Sequence, residues 1–191
     1  GTAPAILYSL LYLEKLSPDA TVAFFPSDHY FSDDEAFMEN VARAFRAVEI
    51  NPDSVVLLGI EPDSAETSYG WIEPVESLFD TAAGAVSRVK RFWEKPSFES
   101  ANYLLKKGCL SNSFVMVGKV ETFLNLIRTH TPDLFRIFAA SSDSFWTKKE
   151  KTVVRSIYSW INEVNFSSQI LEKSADELYV LRAADIKWSD L

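Results

Sequence analysis

The chain has 191 residues, 47% of them hydrophobic, and a net charge of −8 from 27 acids against 19 bases. That length and apolar content suffice for a buried core and exclude wholesale disorder. The acidic balance argues against a binder of nucleic-acid backbone, which needs a basic stripe, while a phosphate ligand held by a metal ion or a few placed bases stays compatible with it. A single cysteine, Cys109, excludes an internal disulfide and fits a reducing compartment. No apolar run approaches the roughly 18–20 residues of a membrane span. The opening "GTAPAILYSLLYLEKL" has no basic n-region and no small-residue cleavage site, so it reads as a mature cytoplasmic segment rather than a signal peptide.

The first predicted element is a helix over "TAPAILYSLLYLEKL", with Thr2 as cap and Pro4 tolerated in the first turn. "TVAFF" (21–25) reads as a buried strand. In "SDDEAFMENVARAFRAV", Ser32 and Glu35 form a capping box, and Phe37, Val41, Ala44, Phe45 and Val48 keep helical spacing. "VVLLGI" (55–60) is the second clear strand. Strand, helix and strand with uninterrupted apolar strands imply a βαβ unit and a parallel sheet covered on both faces.

"YGWIEPV" and "VSRVKRFWEKP" predict two further strands joined by a flexible stretch, "ESLFDTAAGA". "SFESANYLLKKG" is a helix capped by Ser97 and stopped by Gly108. "NSFVMVGK" is a strand, and "VETFLNLIRTH", "TPDLFRIFAAS" (capped by Thr131, with Pro132 first) and "TKKEKTVVRSIYSWI" are helices. "DELYVLRAADIKWSDL" closes with one or two strands. No internal repeat or long linker divides residues 1–191, which read as one unit. No G-x-G-x-x-G or G-x-x-x-x-G-K-S/T is present, which argues against a Rossmann dinucleotide site or P-loop within these residues.

Ligands of open α/β sheets sit outside the carboxyl ends of strands. Asp28 follows such an end in "FFPSDH", where Pro26 stops the strand. A carboxylate there can hold Mg²⁺ against phosphate oxygens, or it can be a turn residue bonding its own backbone. Glu94 and Lys95 of "FWEKPS" stand at another strand end: a hydroxyl acceptor beside a phosphate donor, or an exposed ion pair. Gly70 of "TSYGWIE" offers close backbone approach or simply a turn. Asn112 of "LSNSF" can bond a hydroxyl or cap a turn, and Asp190 of "KWSDL" is either a second metal carboxylate or part of a frayed terminus. His29, His130 and Cys109 match no zinc spacing. His29 reads as loop structure, His130 as structural and Cys109 as a small buried hydrophobe.

Taken in order, "TAPAI", "FFPSDH", "LLGIEPDSAETSYGWIE", "FWEKPS", "GCLSNSFVMVG" and "KWSDL" resemble the sugar-1-phosphate nucleotidyltransferases, specifically the mannose-1-phosphate guanylyltransferases, over nearly all of the chain. E-K-P or W-S-D alone occurs by chance; the order and spacing of the set are what is specific. The resemblance implies a Rossmann-like, three-layer α/β/α sandwich with a mixed sheet. It implies the reaction of GTP with mannose 1-phosphate to GDP-mannose and pyrophosphate, with Mg²⁺ as cofactor. Asp28 and Asp190 then look like metal ligands, Gly70, Glu94 and Asn112 like sugar contacts, and Lys95 like the phosphate contact, with Asp28, Lys95 and Asp190 the catalytic set. Thymidylyl or uridylyl transfer to a hexose 1-phosphate, or a non-catalytic sugar-phosphate module, are the competing readings.

Two departures matter. The family's glycine-rich loop "G-x-G-x-R-L-x-P-x-S/T" belongs upstream of "TAPAI" and is not present. The chain is therefore expected to be an N-terminally truncated fragment with little turnover alone, whose exposed sheet edge promotes a homo-oligomer. The family also usually continues beyond "WSDL". Ser111 stands where tryptophan is common, which would loosen the sugar pocket. Neither nucleic acid nor membrane is expected as a partner.

Overall fold

The computed structural model describes residues 1–75, 80–81, 84–183 and 186–190. Its elements in chain order are α1 (Ala3–Leu16), β1 (Thr21–Phe24), β2 (His29–Phe31), α2 (Asp34–Ile50), β3 (Val55–Ile60), β4 (Trp71–Pro74), β5 (Asp80–Thr81) and β6 (Gly84–Trp93). They continue with α3 (Phe98–Lys106), β7 (Leu110–Lys119), α4 (Val120–His130), α5 (Pro132–Ser141), α6 (Glu150–Trp160), α7 (Phe166–Gln169), β8 (Leu178–Arg182) and β9 (Trp188–Asp190). Of the stretch 76–85, expected as a flexible joint, residues 76–79 and 82–83 lie outside the described residues, and β5 pairs with the start of β6.

The main sheet has the order β1-β7-β3-β8-β6-β4, with β5 beside β6. β3 and β8 are parallel, and the remaining pairs are antiparallel. The expected parallel unit of residues 21–60 is therefore only half right: β1 and β3 run the same way, but β7 lies between them. Both strands are apolar whichever neighbour they have, so their pattern does not say which strand pairs with which. The sheet is mixed, as the resemblance implies.

Alternate residues of β3 divide between two cores, as the period of a strand requires. Val55 and Leu57 join Leu7 and Leu10 of α1 and Phe123 and Ile127 of α4. Val56, Leu58 and Ile60 join Val41, Ala44 and Val48 of α2 on the opposite face. Helices thus cover both faces in three layers. A third, smaller cluster seats Ala101 and Leu104 of α3 against Trp71 and Cys109. Cys109 is buried, and burial pushes its thiol up to about 11, so it behaves as a small apolar side chain.

Three caps differ from expectation: at Ser32 and Thr2 a tertiary partner displaces the local one, and at Thr131 the carbonyl of the preceding helix turn does. Asp33, not Ser32, caps α2, its Oδ1 accepting the Ala36 N–H at 2.9 Å, while Ser32 Oγ accepts the N–H of Lys187 at 2.9 Å. Thr2 Oγ1 accepts the N–H of Phe166 at 3.1 Å instead of capping α1. Thr131 donates its hydroxyl back to the Ile127 carbonyl. Ser97 does cap α3, and Gly108, at φ 76°, ends that helix in the left-handed conformation that suits glycine.

Candidate functional site

β7 is shared along one edge by two strands. β1 pairs with Met116–Lys119, and β4 pairs with Leu110 and Ser111. Since β3 pairs with Ser111, Met116 and Val117 as well, β1 and β4 must both lie on the other edge of β7. Between them a gap is left at residues 112–115. A cavity of 560 Å³ occupies it, lined by the chain leaving β1 (Phe25 to His29), the chain approaching β4 (Ser68 to Gly70), and Asn112 and Phe114 of β7.

The backbone in the gap is irregular. The β3–β7 register slips between Leu57 and Gly59, and Phe114 sits at φ 58°, an uncommon conformation for a bulky residue. Asn112 donates its backbone N–H to the Gly70 carbonyl at 2.8 Å, and its Oδ1 accepts the N–H of Phe114 at 3.2 Å. Gly70 has no room for a side chain: a Cβ would lie 2.8 Å from Phe92 Cζ and 3.2 Å from Glu94 Oε2. Close packing, more than turn geometry, is what requires glycine here.

Glu94 follows β6 and faces the cavity. Burial pushes its carboxyl up, and the nearby charge of Glu172 adds to that; Lys95 and a hydrogen bond with Ser167 pull the other way. Glu172, in a short 3-10 turn after α7, also accepts the Glu94 N–H at 3.5 Å. Lys95 is exposed and takes φ 45°. Asp28 lines the cavity with its side chain 70% exposed, its Oδ1 3.9 Å from His29 Nε2. Asp190 is described by its backbone alone, which pairs with His29 in the two-stranded sheet β2–β9.

The structure therefore gathers Asp28, Gly70, Glu94 and Asn112 on one cavity, sets Lys95 beside Glu94, and brings the backbone of Asp190 next to the Asp28 segment. Sequence reasoning missed Ser167, Asn165 and Trp188, which also line the cavity. Asn165 carries a readable cap signal for α7, its side chain accepting the Ser168 N–H at 3.0 Å, but nothing local places that helix at the cavity. His29, expected as loop, opens β2, is largely buried, and accepts the Trp188 indole N–H at Nδ1. Ser111 is buried and lines a neighbouring cavity of 340 Å³ together with Tyr69 and Trp188.

Among the described residues no group of three or more His, Cys, Asp and Glu could hold a metal unaided. A hard cation such as Mg²⁺ asks for less: one or two carboxylates, with substrate oxygens and water completing the octahedron. The open Asp28 carboxylate facing the cavity fits that demand. A larger cavity of 720 Å³, with Glu73, Lys90, Lys107 and Cys109 in its lining, is a poorer candidate, because its carboxylate is already held by Lys90 at 2.9 Å and Lys107 at 2.8 Å.

Residues 1–190 match the family model described as nucleotidyl transferase. The chain belongs to that family. It is 26% identical over 199 residues to the mannose-1-phosphate guanylyltransferase of Escherichia coli, covering all of this chain and 41% of that protein. It is 31% identical over 137 residues to the alginate biosynthesis protein AlgA of Pseudomonas fluorescens, covering 71% of this chain and 27% of that protein. Among solved structures, one described as mannose-1-phosphate geranyltransferase from Thermus thermophilus superposes with a TM-score of 0.83 at 26% identity, over 98% of this chain and 51% of that chain. The nucleotidyl transferase chain thus spans less than half the length of these two curated relatives. Among its described residues no helix is long and apolar enough to cross a membrane.

Proposed function

We propose that this chain carries the sugar-phosphate and metal-binding part of a nucleotidyltransferase that converts GTP and mannose 1-phosphate into GDP-mannose and pyrophosphate. The observation that carries the reading is the convergence of Asp28, Gly70, Glu94 and Asn112, from four separate stretches of sequence, on one cavity. The names of the relatives support the choice of sugar and base.

In this reaction a phosphate oxygen of mannose 1-phosphate attacks the α-phosphorus of GTP in line. The new P–O bond forms as the bond to the β-phosphate oxygen breaks, and pyrophosphate leaves. No side-chain nucleophile is needed; the protein positions the two phosphates and offsets their charge. Glu94 accepts hydroxyl hydrogens of the sugar. Asn112, its Oδ1 engaged by Phe114, offers its amide N–H groups to the same ring. Lys95 donates to the sugar phosphate. Asp28 and Asp190 would hold Mg²⁺, which when bound offsets charge on the α-phosphate and the departing pyrophosphate. Self-association through the open edge of β1 belongs to the same proposal, and a clean monomer in sedimentation would remove it.

Calorimetry with mannose 1-phosphate, with and without Mg²⁺, on the wild type and Asp28→Ala tests the reading. Binding that Mg²⁺ strengthens, and that Asp28→Ala makes metal-independent, is expected. Metal-independent binding that ignores the substitution would favour a non-catalytic sugar-phosphate module. Pyrophosphate release measured in parallel with GTP, UTP and dTTP tests the base.

A further inference from the structure

β2 and β9 are three residues each and, among the described residues, pair only with one another, apart from the main sheet. An isolated two-stranded ribbon of that length is marginal in water. Its register sets His29 opposite Asp190, Tyr30 opposite Ser189 and Phe31 opposite Trp188. One end is tied by Ser32, whose N–H donates to the Lys187 carbonyl at 3.0 Å and whose Oγ accepts the Lys187 N–H. The other end, next to Asp28, is tied by a side-chain bond between residues 159 positions apart: the Trp188 indole N–H donates to His29 Nδ1 at 3.0 Å.

An indole nitrogen only donates, so His29 Nδ1 must be the acceptor and the ring proton sits on Nε2. That Nε2 lies 3.9 Å from Asp28 Oδ1. The two rings meet edge to face at 5.3 Å, and Tyr69 approaches the indole at 4.7 Å, where Trp188 separates the 560 Å³ cavity from the 340 Å³ one. Asp28 itself is largely exposed, and at 3.9 Å the neutral imidazole neither hydrogen-bonds nor ion-pairs with it, so its placement depends on the segment that carries it. Mg²⁺ tolerates little departure from octahedral geometry, so carboxylates on segments free to shift against one another hold it poorly.

We infer that His29 is a positioning residue: its Nδ1 fastens the segment carrying Asp190 to the segment carrying Asp28. This rests on the metal reading of those two aspartates proposed above. The imidazole works through the placement of the two carboxylates.

Mn²⁺, followed by the spin-resonance signal of the free ion, is the probe. His29→Phe and Trp188→Phe each remove the bond from one side, so each is expected to weaken Mn²⁺ binding about five- to tenfold, the contribution of one hydrogen bond. The double variant is expected to be no weaker than either single, since both remove the same interaction. His29→Asn keeps an acceptor at the δ position and should restore binding to within about twofold of wild type. A structural role alone would not produce that rescue pattern. The Trp188 indole N–H resonance, assigned by its loss in Trp188→Phe, should exchange slowly in wild type and His29→Asn and rapidly in His29→Phe. If His29→Phe does not fold, Trp188→Phe tests the same bond. Wild-type Mn²⁺ affinity in both bond-deleting variants, alongside loss of binding in Asp28→Asn, overturns the inference and leaves the metal reading standing. Wild-type affinity in Asp28→Asn overturns the metal reading and this inference with it.

Discussion

Adding a single methyl group at Gly70 tests the packing of the cavity floor. In Gly70→Ala the new carbon would stand 2.8 Å from Phe92 Cζ and 3.2 Å from Glu94 Oε2. Non-bonded carbons rest at about 3.5–4.0 Å, so the contact with Phe92 is short by at least about 0.7 Å. Phe92 cannot swing into solvent, because it is fully buried and joins the core shared with Ile72. Overpacking of this kind costs about 1–3 kcal/mol. With a urea dependence of about 2 kcal/mol/M, the unfolding midpoint should fall by about 0.5–1.5 M. The second contact displaces the Glu94 carboxylate from the position in which it faces the cavity. Mannose 1-phosphate affinity, read by calorimetry, should fall about tenfold, equivalent to about 1.4 kcal/mol. In a Phe92→Leu background the tip of the ring is gone, and the methyl should cost less than about 0.5 kcal/mol. An unchanged midpoint, or an equal cost in both backgrounds, would refute the packing argument.

Glu94→Gln should separate stability from function. Burial raises the Glu94 carboxyl, with Glu172 adding to it against Lys95 and Ser167. An acid whose pKa is raised on folding costs stability above that pKa and nothing below its unfolded value of about 4.3. Glu94→Gln should therefore unfold at higher urea than wild type at pH 7, lose that advantage by about pH 4, and bind mannose 1-phosphate at least about tenfold more weakly. Glu73 has the opposite sign: burial pushes its carboxyl up, but hydrogen bonds from Lys107 and Lys90 outweigh that and leave it lowered. Its contribution is present above about pH 4.3 and lost as pH falls through the lowered value. Glu73→Gln should cost about 1–2 kcal/mol at pH 7, discounted for the partly exposed lysines, with the difference from wild type shrinking below about pH 4 in urea titrations. At Phe114, φ 58° inverts the usual order of small residues: Phe114→Gly should be about 1 kcal/mol more stable than Phe114→Ala in thermal unfolding.

Much of the fold is legible in the sequence because its signals are short. β3 shows an apolar run of strand length, α4 matches "VETFLNLIRTH" end to end, and Gly108 marks the end of α3. Of the cavity residues, Asp28, Gly70 and Glu94 stand out at strand ends by residue type or neighbouring proline, and Asn112 as an amide near the start of β7. What misleads is local chemistry overruled from a distance. Ser32 and Thr2 look like caps, but each serves a backbone amide far along the chain, because a fixed tertiary donor is available to each hydroxyl.

Periodicity settles the longer elements, the two-sided burial of the central strands and the residue types at their ends. These signals act within a few positions, where the chain's own geometry sets the contacts. It takes the assembled sheet to put β7 between β1 and β3, to turn the gap between β1 and β4 along its edge into a cavity, and to bring Glu172 and Ser167 to Glu94. The same holds for the bond that joins His29 to Trp188. Such contacts depend on which strand edges meet, and an apolar strand accepts several neighbours equally well until the whole sheet closes around it.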